Sequence, residues 1–155
     1  MDKTADEDLV RRVTDCAITV YERVGPGLTK DAYKKCLAIE LMIAELAFEH
    51  GRVLPAVYDG RTLDFRCRTD FIVADSLVLQ VEAEEELDFT HEALLRTCVW
   101  MGGYALGLLL NFNVADMAAE GIRRVTCLRA GDDAFGGNAF GDVFDDPGPG
   151  SPPRA

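Results

Sequence analysis

Arg68-Thr69-Asp70-Phe71-Ile72-Val73-Ala74-Asp75-Ser76-Leu77-Val78-Leu79-Gln80-Val81-Glu82 holds two apolar runs divided by a turn at Asp75-Ser76. Short apolar runs bounded by turn formers read as sheet strands. Followed backwards, the first run becomes a strand over residues 63–73. Phe65, Cys67, Thr69, Phe71 and Val73 share one of its faces, and Arg66, Arg68, Asp70 and Ile72 share the other. In the second strand, over 77–82, alternation puts Gln80 and Glu82 on one face. Those two side chains and Asp70 can then converge on one point.

Outward from this pair the period changes. Upstream, Val53 to Tyr58 is a short strand, and Asp59-Gly60 supplies a hairpin turn. Before it, apolar residues recur at three- and four-residue steps over 6–24, and again from Thr29 or Lys30 to His50. Two helices are predicted there, separated by Gly25-Pro26-Gly27 and closed by Gly51. Downstream, a helix over 89–101 ends at Gly102-Gly103, and 105–114 is an apolar strand of the kind buried on both faces. A connector over 116–121 precedes a last strand over 122–128. The fold class is therefore α/β (α+β), a mixed central sheet flanked by helices.

The chain has 155 residues, 48% hydrophobic, and a net charge of −11. That size suits a single globular domain, assigned to 1–128, and the hydrophobic fraction excludes a wholly disordered chain. Residues 129–155 carry five aspartates against two arginines, with many glycines and prolines, and read as an acidic tail. Phe135, Phe140 and Phe144 could make it a docking peptide. The acidic balance disfavours nucleic acid, because phosphate neutralisation supplies most non-specific affinity. No apolar run approaches the ~20 residues of a membrane helix, and the N-terminal residues lack the pattern of a secretory signal. Five cysteines without a CxxC spacing are expected as reduced core thiols of a cytoplasmic protein.

Gly27-Leu28-Thr29-Lys30-Asp31-Ala32-Tyr33 resembles the segment that names the GxxExxY proteins, a branch of the PD-(D/E)XK nuclease superfamily. The resemblance runs from about Ile18 to Val125. It takes in Arg68-Thr69-Asp70, His91-Glu92-Ala93, Gly107 to Asn113 and Gly121 to Val125. It implies a restriction-endonuclease-like core with a nuclease-type site at the Asp and E-x-K positions. Asp70 fits that pattern. Family members carry Glu where this chain has Lys30, Glu at Gln80, Lys at Glu82 and usually Gln at Leu94.

These departures leave a relic site of Asp70, Gln80 and Glu82. A neutral amide is a poor ligand for a hard divalent ion, and a carboxylate cannot replace a lysine in stabilising a phosphorane. Losing a positioned acid–base group alone costs ~10²–10⁴-fold. The expectation is a non-catalytic protein without cofactor, acting through binding or self-assembly as a homo-oligomer or with another protein. Trp100 or the tail phenylalanines would supply the interface. The alternative is a metal-dependent nuclease with a rearranged site, using Mg²⁺ or Mn²⁺ held by Asp70 and Glu82. A third reading has Glu84 to Asp88 bind a basic protein.

Side chains near the site also have plainer roles. Asp70 could pair with Arg66, Arg68 or a backbone amide, and Lys30 with Asp31 on the surface. His91 would begin one helix and His50 end another.

Overall fold

The computed structural model describes residues 3–126. The tail over 129–155, the boundary at 128 and Cys127 lie outside the described residues. In chain order the elements are α1 (Lys3–Val24), α2 (Lys30–Ile43), β1 (Phe48–His50), β2 (Val53–Tyr58), β3 (Arg61–Arg68), β4 (Phe71–Val73) and β5 (Leu77–Glu82). Then follow α3 (Phe89–Met101), β6 (Leu106–Asn111), a π-helical turn (Met117–Gly121) and β7 (Ile122–Thr126). The mixed α/β class read from the sequence is the observed one.

Five strands form one sheet in the order β1-β4-β5-β6-β7, while β2 and β3 form a separate hairpin. Pairing is antiparallel except between β5 and β6, which are parallel and joined through α3. Two buried clusters lie on either side of the sheet. Leu77, Leu79, Val81, Leu106, Leu108 and Leu110 face α1 and α2, packing with Val13, Val20, Leu37 and Leu41. Ile72, Val78, Leu109 and Val125 face α3, packing with Leu95, Cys98 and Val99. Period-two alternation along β5 and β6 explains the division.

The strand expected over 63–73 is in fact two strands in different sheets. Cys67 on β3 belongs to the α3-side cluster, whereas Phe71 on β4 belongs to the opposite one. The chain changes sheets at Thr69-Asp70. There the Thr69 backbone N–H donates to the Arg52 carbonyl at 2.9 Å, and the Asp70 carbonyl accepts from Gly51 N–H at 3.2 Å. The second helix is also shorter than its apolar pattern. It stops at Ile43, Glu45 takes a φ of 59°, and His50 lies on strand β1 rather than at a helix end.

Two features fix the start of α2. Thr29 is its N-cap, with its hydroxyl accepting from Ala32 N–H at 3.2 Å. Tyr33 reaches back over the preceding loop, donating to the Gly25 carbonyl at 2.6 Å and accepting from Leu28 N–H at 3.1 Å. Gly27 holds a φ of 112°, a left-handed-side conformation that a side chain would strain. The Tyr33 ring stacks on Phe112, centroids 4.5 Å apart. The tyrosine of this motif therefore ties the glycine loop, the helix and the exit of β6 together.

Candidate functional site

Asp70 sits where the chain leaves the hairpin for the main sheet, and only 4% of it is exposed. Its Oδ2 accepts from Val81 N–H at 2.8 Å, so the carboxylate is stitched into β5 between Gln80 and Glu82. Of the partners proposed from the sequence, the backbone amide is the observed one. Arg66 and Arg68 are not among its ion pairs.

Two lysines approach Asp70 from α2. Lys34 Nζ lies 3.1 Å from Asp70 Oδ1, and Lys30 Nζ lies 3.9 Å from Oδ2. Lys30 also stands 3.8 Å from Glu82 Oε2, whose side chain is 12% exposed. Lys30 is thus not paired with Asp31 but spans the two carboxylates. Gln80 Nε2 donates to the same Glu82 oxygen at 3.5 Å. The structure brings Asp70, Gln80 and Glu82 together as the strand geometry required, and adds two ammonium groups. Lys34 was not singled out from the sequence. Its signal was available, since residues four apart on a helix share a face and Lys30 and Lys34 have that spacing.

The far end of β5 is tied to β6. Phe112 N–H donates to the Glu82 carbonyl at 3.0 Å. Buried Asn111 clamps Glu84 at both backbone groups, accepting from Glu84 N–H and donating to the Glu84 carbonyl, each at 3.0 Å. The chain then enters α3 through a capping box. Asp88 accepts from Thr90 N–H at 2.9 Å, and His91 Nδ1 accepts from Asp88 N–H at 3.1 Å. The Thr90 hydroxyl contributes most to holding the Asp88 carboxyl below its ordinary range, followed by backbone N–H donation. His91 does begin this helix, as its position suggested.

Two other expectations concern side chains away from the carboxylates. Trp100 is half-buried against the α3-side cluster, a packing position. Cys16, Cys36, Cys67 and Cys98 are free thiols. The Cys67 and Cys98 side chains share a hydrogen bond that lowers the first thiol's pKa and raises the second's.

The chain resembles the alkaline exonuclease LHK-Exo from Laribacter hongkongensis at 10% identity and a TM-score of 0.39, over 64% of this chain and 55% of that one. It therefore spans little more than half the length of that enzyme. No curated protein matches it in sequence. Among the described residues no helix is long and apolar enough to cross a membrane. The sequence profile of the PD-(D/E)XK nuclease superfamily matches residues 7–125, and the chain belongs to that superfamily.

Proposed function

We propose that this chain is a PD-(D/E)XK-fold protein that does not cleave phosphodiesters and acts in the cytoplasm through binding or self-assembly. The observation that carries the reading is the 3.1 Å ion pair between Lys34 Nζ and Asp70 Oδ1. A nuclease of this superfamily needs its strand carboxylates for a divalent ion. Here one oxygen of Asp70 faces an ammonium and the other takes a backbone N–H. Glu82 faces Lys30, and Gln80 brings no charge. Two carboxylates against two ammonium groups leave little net field for a dication, so this donor set fits a hard metal ion poorly.

A surface for association is present on α2, where Ile39, Met42 and Ile43 are exposed. Isolated apolar side chains are ordinary on surfaces, but three within one helical turn and a half form a patch suited to a partner. We favour this patch over Trp100, which packs half-buried beside the α3-side cluster.

The test is cleavage of single- and double-stranded DNA and RNA with Mg²⁺ or Mn²⁺, comparing the wild type with Asp70→Ala. The expected result is no activity above the variant's. Cleavage that needs both Asp70 and Lys30 would overturn the proposal and reinstate a rearranged nuclease, with Lys30 supplying the ammonium from α2. The assembly component is read by light scattering across a concentration series, with Met42→Glu expected to shift the distribution towards monomer.

A further inference from the structure

We propose that Glu82, Glu84 and His91 form a transition-metal site of the Zn²⁺ class, bridging the end of β5 to the first turn of α3. Each of these residues offers a ligand atom, and the three atoms lie within 4.8 Å of one another. At that separation each atom would move inward by up to ~0.7 Å to reach metal–ligand distances of ~2.0–2.2 Å.

The backbones carrying these ligands are fixed independently. Glu82 is held by Phe112 N–H, Glu84 by the two-point amide clamp of Asn111, and His91 by the α3 cap. Glu82 can serve both sides, because Lys30 and Gln80 engage Oε2 and leave Oε1 for an ion. His91 has a matching arrangement. Asp88 Oδ1 lies 3.1 Å from Nδ1, so the tautomer with its proton on Nδ1 donates to that carboxylate and presents an unprotonated Nε2. A carboxylate behind a ligating imidazole orients the ring and raises its basicity. Metal binding would select this tautomer over the one that accepts from Asp88 N–H.

Charge decides between this position and Asp70. At Asp70 one carboxylate meets Lys34 and shares Lys30. On the His91 side two carboxylates act together, with Asp88 behind them and Lys30 opposing only Glu82. A dication gains more there. An imidazole with two carboxylates suits Zn²⁺ or Co²⁺ better than Mg²⁺, which strongly prefers oxygen. The glutamate that takes the place of the family lysine is thus a ligand in a site displaced towards α3.

Co²⁺ titration of the purified full chain, followed by visible absorption and by competition with Zn²⁺, tests the assignment. Binding of a single ion is expected in the wild type, weakened in Glu84→Gln and in His91→Ala by more than the ~10–100-fold that loss of an outer-shell partner costs, and unchanged in Asp70→Asn. Glu84→Gln alters an exposed side chain, so its folding is secure even if His91→Ala weakens the cap. Absence of Co²⁺ binding by the wild type overturns the proposal. So does equal binding by Glu84→Gln, or loss in Asp70→Asn with retention in Glu84→Gln, which would place the ion at Asp70.

Discussion

Lys30 and Glu82 stand 3.8 Å apart, ammonium to carboxylate, and each carries the charge that the family resemblance assigns to the other's position. The structure brings these two positions, 52 apart in sequence, into one ion pair. Lys30 stands beside Asp70 from a helix and meets Glu82 on the same ammonium.

The ion pair predicts a double-mutant cycle. Lys30→Glu sets a third carboxylate against Asp70 and Glu82, and Glu82→Lys gathers three ammonium groups around Asp70. Because Lys30 is 39% exposed, solvent screening limits the loss in Lys30→Glu to about 1 kcal/mol, whereas Glu82→Lys, at a side chain only 12% exposed, is expected to cost more. The double variant is expected to recover most of the loss, a coupling that urea denaturation measures directly. Adding Gln80→Glu completes the residue set that the resemblance implies but leaves Lys34 against Asp70, so calorimetry is expected to detect Mg²⁺ binding only once Lys34→Ala is added as well.

At Gly107 on β6, α3 packs closely against the sheet. A Cβ there would lie 2.8 Å from Val99 Cγ2 and 3.2 Å from Leu95 Cδ1. Both neighbours are buried, so neither can swing aside into solvent. Gly107→Ala is expected to cost ~1–3 kcal/mol through overpacking, read as a lower denaturation midpoint with unchanged far-UV dichroism.

The separate β2–β3 hairpin was legible because its cues are local. Asp59-Gly60 takes φ values of 52° and 75°, the paired positive angles that residue pair favours. The break at Thr69-Asp70 was not legible. Alternation continues past Thr69-Asp70 to Phe71, and only the pull of two separate sheets, with the Arg52 carbonyl bonding Thr69, divides the strand. Strand β1 was hidden for a related reason. Phe48 continues the helical stripe of Tyr33, Leu37 and Leu41, yet it pairs with Val73 across the sheet. The convergence of Asp70, Gln80 and Glu82 followed from strand period and one backbone bond. Lys34 lay beyond that reasoning because its role depends on where α2 packs.

Alkaline pH is expected to destabilise the fold. Burial, reinforced by Glu40 and Asp15, raises the Cys16 thiol above its ordinary 9.0. Burial likewise raises the Tyr104 hydroxyl above 10.0. The folded chain holds these protons more tightly, so on raising the pH the unfolded chain releases them first and gains population. This part of the stability is complete below the ordinary values and is lost as pH climbs from about 9 through the raised folded values, with the lowered Cys67 thiol opposing it. Urea midpoints across that range should fall, and Cys16→Ala should flatten the slope. An unchanged slope in that variant would remove Cys16 from the account.

Tyr33→Phe separates the two roles of the motif tyrosine. The ring, which stacks on Phe112, is retained, while the hydroxyl that joins Gly25 to Leu28 is lost. Leu28 N–H and the Gly25 carbonyl then lose their partner, at a cost of about 1–2 kcal/mol when water replaces it incompletely. The loop they close leads directly into the Thr29 cap, and the next turn of helix carries Lys30 and Lys34 towards Asp70. Amide exchange should therefore accelerate first at Leu28 and through the first turn of α2, before any change in the sheet. Acceleration spread evenly over the whole domain would instead mean that the hydroxyl supports global stability alone. If exchange is local, the same variant should weaken the measured coupling between Lys30 and Glu82, because a frayed helix start no longer holds the ammonium in place.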